Sequence, residues 1–213
     1  MSELAFTLFL ILSFWGFGSS LLRLLNIRNC QPIAPSIGVA VLIAIGGILN
    51  LLELANLYSI LVLYVTGNLL LSIQVFSEIR RRIIPENKST PTFSAEWIPY
   101  LAVLICGILQ YIYFSSPLAF NEHDDFEKYL KYPSRMLATG TLANSKLDAI
   151  GYETLGGFSY LQSYIVGFQP LNRILVLDTF IAFSLFSLSI AFILKQLKQH
   201  WSICALGATL PLF

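Results

Sequence analysis

The residues best suited to chemistry in this chain are Asp124 and Asp125, inside Phe120-Asn-Glu-His-Asp-Asp-Phe-Glu-Lys-Tyr-Leu130 and directly after an apolar run. A carboxylate at the mouth of an apolar helix is costly to keep and commonly has a task, such as taking a proton from an acceptor or holding a cation. The two are adjacent, so on a regular helix their side chains diverge by about 100 degrees and do not chelate as a pair. One could face reacting groups while the other caps the helix. The bland alternative is helix-end charge on a wet loop. His123 beside them is compatible with a divalent cation, but no second histidine lies near.

The rest of the chain explains why acids stand out. Hydrophobic residues make up 56% and charged ones 12%, and the mean hydropathy is +0.71. A soluble domain carries roughly twice that charged fraction. The fold class expected is all-α, a polytopic transmembrane helical bundle with an outer loop carrying short surface helices. A membrane-crossing helix needs about 20 apolar residues. Five runs qualify, over residues 4–25, 34–55, 57–76, 97–116 and 173–194, and a sixth begins at Trp201. The chain divides into residues 1–96, three spans and a basic loop, and residues 97–213, the acidic loop with its flanking spans. Cys30, Cys106 and Cys204 have no metal-binding or redox spacing. No nucleic-acid partner is expected.

Basic residues orient the spans. Arg23 and Arg28 follow the first run, Arg80, Arg81, Arg82 and Lys88 the third, and Lys195 and Lys198 the fifth. Alternating spans put all three groups on one side, which the positive-inside rule makes the cytoplasm. The N-terminus and the loop 117–172 then lie outside. The Asn87-Lys-Ser89 sequon falls on the cytoplasmic side and would stay unmodified.

Within the outer loop, Asn121 is a candidate N-cap, with a helix from Asp124 to about Leu130 that can continue through Pro133 with a kink. Phe126, Tyr129, Leu130, Pro133 and Leu137 would form its apolar face. Gly156-Gly157 allows a turn and close approach of backbone to a ligand, or simply re-entry toward the membrane. Asp178 either faces a polar cavity near the outer surface or snorkels outward.

An acidic pair after an outward-going helix, then Tyr-Leu-x-x-Pro-x-x-Met-Leu-x-x-Gly over Tyr129 to Gly140, then Gly-Gly-x-Ser-x-Leu-Gln over Gly156 to Gln162, resembles the first outer loop of GT-C multi-pass glycosyltransferases. That superfamily includes protein O-mannosyltransferases and aminoarabinose transferases. The resemblance implies a polyprenyl-phosphate-linked sugar donor, membrane-lipid partners, and Asp124 or Asp125 as the base that deprotonates the acceptor, with inversion at the sugar. It makes Gly156, Gly157 and Gln162 candidate substrate-binding residues. Arg135 and Lys131 could assist with phosphate. Because the sixth run is cut short at Phe213, the chain is expected to be the N-terminal part of a larger enzyme or to need a partner subunit. The rival expectations are a non-catalytic membrane protein or remnant and, last, a transporter.

Overall fold

A computed structural model describes residues 3–27, 30–82, 98–114, 130–143 and 155–209, which are all-helical, with no strand among them. Three stretches, Ala5–Leu24, Gln31–Leu51 and Leu57–Arg80, are long and apolar enough to cross a membrane. They form α1 (Glu3–Leu24), α2 (Ala34–Leu51) and α3 (Leu57–Arg82).

Small residues set how closely these helices meet. Every fourth residue of α1 from Phe6 to Leu22 is buried, through Leu10, Phe14 and Gly18. The matching row on α2 is Ala34, Gly38, Leu42, Gly46 and Asn50. A four-residue step nearly matches the helical repeat of 3.6, so each row is a single face. Gly18 lies on the backbone of Ala34 and Gly38, and Gly38 on that of Phe14, so α1 and α2 are antiparallel. Gly16 meets the Gly67 carbonyl on α3, and Phe6 stacks on Tyr64 with centroids 5.8 Å apart, so α1 and α3 run parallel. Polar clasps join that pair. Ser19 Oγ donates to Gln74 Oε1 at 2.6 Å, Gln74 Nε2 donates to Ser20 Oγ at 2.7 Å, and Asn68 Nδ2 donates to the Phe9 carbonyl at 3.1 Å.

The remaining helices are α4 (Ile98–Phe114), α5 (Lys131–Thr139), α6 (Gly157–Phe168), α7 (Ala182–Gln196) and α8 (Trp201–Thr209). Ser36 Oγ on α2 donates to the Leu185 carbonyl at 3.1 Å and pairs with Ser189 Oγ at 3.0 Å, placing the first half of α7 beside the start of α2, and α7 also packs on the turn Gln31–Ile33 that precedes α2. Arg23, Arg80 and Lys195 therefore share one end of the molecule. The α2–α3 connection, where the Ala55 N–H donates to the Gly140 carbonyl at 2.8 Å, marks the other.

Several boundaries differ from those read in the sequence. The second run stops at Leu51 rather than residue 55. The Leu54 N–H reaches back to the Leu49 carbonyl at 2.8 Å while Glu53 takes φ 60°, a left-handed helix ending. Helix α3 instead continues six residues past 76 to Arg82. The fifth run is not one α-helix. It comprises a 3-10 turn, Leu171–Arg173, a π-helical stretch, Val176–Ile181, and then α7. Helix α5 begins at Lys131, with Pro133 in its first turn, where a missing N–H breaks no bond, so no kink is needed. Its buried side is Tyr132, Pro133 and Met136, with Leu130 just before it and Leu137 only partly covered. Phe126 and Tyr129, expected on that face, lie outside the described residues.

Candidate functional site

The site must be built from the two described segments that follow the acids in the chain. Asn121, His123, Asp124 and Asp125 lie outside the described residues. Arg135, Gly156, Gly157 and Gln162 lie within them, on α5 and at the start of α6, and these two helices pack on each other at the α2–α3 end. Ser163 Oγ on α6 donates to the Pro133 carbonyl on α5 at 3.2 Å, which ties the pair together. The residues that motif and spacing singled out are thus brought to one end of the molecule. Asp178 lies on the π-helical stretch of the backbone.

Asn50 is the hub of this end, and the sequence reading missed it. It is 2% exposed, at the last turn of α2. Its side-chain carbonyl accepts the Leu142 N–H at 2.7 Å, and its amide donates to the Leu155 carbonyl at 3.2 Å. One side chain therefore pins both segments to α2. The signal available was its place in the four-residue row that starts at Ala34.

The glycine pair is a packing device first. Gly156 holds φ 67° as the N-cap of α6. A Cβ there would meet Leu142 at 2.9 Å, Met136 at 3.0 Å and the Asn50 amide at 3.1 Å. A Cβ on Gly157 would collide with the Ile43 carbonyl of α2. Both glycines let the start of α6 lie against α2, where Gly46 makes room for the Tyr160 ring. Residues 157, 160–165 of α6 are buried, so this segment of the predicted outer loop is core and not a surface element. Gln162 is one of them. Arg135 is half-buried on α5.

Tyr160 and Tyr164 supply the electrostatic character. Their rings meet edge to face with centroids 5.8 Å apart, and Tyr160 Oη donates to Ser59 Oγ at 3.0 Å. Ser59 is itself set by the cap of α3, where Asn56 Oδ1 accepts the N–H groups of Tyr58 and Ser59 at 3.0 and 3.1 Å. Burial disfavours the phenolate and pushes Tyr160 up to about 12, against a lowering by its Ser59 and Tyr164 hydrogen bonds. Burial, then the neighbouring Tyr160, raises Tyr164 well above the usual phenol value. A raised folded-state pKa means stability that is complete below pH 10 and lost as pH climbs toward 12. In detergent, phenolate absorbance from these two rings should therefore appear only with global unfolding. The Tyr160→Phe, Tyr164→Phe variant should lose less stability over that pH range. Reversible titration of all ten tyrosines near pH 10 without unfolding would contradict it.

What this arrangement can do is fix loop stems. Leu130 is 4% exposed, and Asp125 lies five residues before it in the chain. Chain length alone keeps the Asp125 Cα within about 18 Å of the Leu130 Cα, at the start of α5. Among the described residues no three His, Cys, Asp or Glu side chains gather as a metal site. Comparison with protein-family models, curated proteins and solved structures gave no match.

Proposed function

We propose that this protein is a multi-pass membrane protein that carries the outer-face acceptor site of a GT-C-like glycosyltransferase. The observation that carries this reading is positional. Helix α4, before the acidic stretch, starts beside Lys195 and runs away from it past Ser184 and Phe180, and α5, after the stretch, is tied to the α2–α3 connection, opposite Arg23, Arg80 and Lys195. With the basic end in the cytoplasm, the loop with Asp124 and Asp125 opens on the other face, where a lipid-borne sugar and a water-borne acceptor can both reach it. The exposed apolar side chains of α3, among them Leu61, Val65, Leu69, Ile73 and Phe76, suit contact with lipid chains.

In this reading one of the two aspartates takes the acceptor's proton as the acceptor oxygen or nitrogen attacks the sugar's anomeric carbon. The polyprenyl phosphate leaves from the opposite face, and the configuration inverts. Arg135 and Gln162, on the helices that frame the loop, position substrate groups beside it, and a divalent cation at the acids would favour the departing phosphate.

Transfer of labelled sugar from a polyprenyl-phosphate donor, in membranes expressing the protein, tests this. Asp124→Asn or Asp125→Asn, whichever removes the base, should cut transfer by about a hundredfold or more while leaving the protein's melting temperature in place. Full transfer by both variants would remove the base from this loop.

A further inference from the structure

The basic end holds a feature that the acceptor-site reading does not use. A cavity of about 370 Å³ opens between the starts of α4 and α8 and the end of α7, lined by Lys195, Lys198, Gln199, His200, Tyr100 and Trp201 among others, with no carboxylate among the described lining residues. The starts of α4 and α8 both face it, and with them the positive ends of two helix dipoles. His200 Nδ1 pairs with Ser202 Oγ at 2.9 Å and lies 3.4 Å from the Ser202 backbone nitrogen. Lys198 is held at φ 57°, the left-handed position that ends α7, with the Gln199 N–H bonded back to the Leu194 carbonyl at 3.1 Å.

A second cavity, about 310 Å³, shares Tyr100 with the first and continues along α4 and α7. Its walls are Val103, Leu104, Phe180, Leu185 and Leu188, with Ser184 the one hydroxyl beyond the shared tyrosine among the described lining residues. Leu188 and Ala191, which line the two cavities, are less than one helical turn apart on α7. A cationic, aromatic-rimmed pocket thus runs into an apolar groove toward the middle of the molecule. That is the shape and polarity of a lipid with a phosphate head and an acyl chain.

We propose that this paired cavity binds an anionic phospholipid, its phosphate on Lys195, Lys198 and His200 and one chain in the groove of α4 and α7. A soluble phosphate compound shares the head chemistry but has no use for the groove. The full chain, purified in a neutral detergent, would be titrated with phosphatidylglycerol, with phosphatidylcholine of the same chains, and with inorganic phosphate, and bound adducts counted by native mass spectrometry. Phosphatidylglycerol should be retained in preference to phosphatidylcholine. Replacing both lysines, Lys195→Gln and Lys198→Gln, should weaken it about thirtyfold, from roughly a fivefold loss per lysine near an anionic surface. Leu104→Trp, at a half-exposed position that folding tolerates, should block the groove and weaken the lipid while leaving any phosphate adduct unchanged. Equal retention of the two lipids by the wild type overturns the proposal, whatever the variants do. So does binding of phosphate as tight as that of phosphatidylglycerol and indifferent to Leu104→Trp, which would make this a soluble-anion site.

Discussion

Gly38→Leu is expected to yield no folded protein. Even the first atom of a side chain at Gly38 would overlap the carbonyl of Phe14 on α1. The obstacle is backbone, so no rotamer change relieves it, and α1 and α2 must separate. Separation strips cover from Phe14 and Leu42, both 0% exposed, and parts Gly18 from Ala34, its own carbonyl contact. Small residues carry helix pairs of this kind because the close approach is itself the source of attraction. The loss should exceed about 4 kcal/mol, the range reserved for overpacking with no room to adjust. Gly38→Ala should already fail in part. Gly47→Ala on the same helix meets only the Leu155 Cβ at 3.3 Å, a contact that a small shift relieves, and should be nearly neutral. Monodisperse yield and thermal unfolding in detergent would rank the three. Equal yields from Gly38→Leu and Gly47→Ala would mean that the α1–α2 approach is looser than described.

The same contrast explains how far the sequence could be read. Hydropathy located α1, α2, α3, α4 and most of α7, because burial in lipid or in protein demands the same long apolar runs. It could not show that α2 ends at Leu51, since Leu52 and Leu54 prolong the apolar run while hydrogen bonding around Glu53 closes the helix. Nor could it show the π-helical backbone of Val176–Ile181, which changes the bonding step and not the composition. Helix α6 was harder. Gly-Phe-Ser-Tyr-Leu-Gln-Ser-Tyr reads as an apolar helical stretch after the glycine turn, but its polar groups do not announce that it is core. Those groups are buried because they find partners, Ser163 on the Pro133 carbonyl and Tyr160 on Ser59. For the candidate site, motif spacing placed Arg135, Gly156, Gly157 and Gln162 in one neighbourhood. The same motif did not say that Gly156 and Gly157 are held there by Leu142, Met136 and Ile43. A lone polar residue at the end of an apolar run, such as Asn50, reads as an interfacial residue until the partners from residues 142 and 155 are seen.

Asn50→Leu is the second large effect, and it separates the scaffold from the chemistry. Leucine nearly conserves volume but removes both the acceptor for the Leu142 N–H and the donor to the Leu155 carbonyl. The Leu142 N–H lies where water cannot replace the lost partner and costs about 1–3 kcal/mol to leave unpaired, whereas Leu155 is exposed and its carbonyl can turn to water. The total expected is therefore about 1–3 kcal/mol. Asn50→Asp keeps the acceptor, loses the donor and should fall between. The damage should be local as well as global. With Asn50 gone, the segment 140–143 keeps its bond from the Ala55 N–H, but the start of α6 loses its tie to α2. Limited proteolysis should then cut Asn50→Leu between residues 130 and 168 at protease levels that spare the wild type. On the proposed function, sugar transfer should fall with stability in Asn50→Leu, because the segments that follow the acids are no longer fixed. In the aspartate variants it should fall without any change in stability, because only the base is gone. An Asn50→Leu protein with wild-type melting and wild-type protease resistance would show that the two stems are held by packing alone. Positioning of the acidic loop would then rest on the glycine contacts of α6 and not on this side chain.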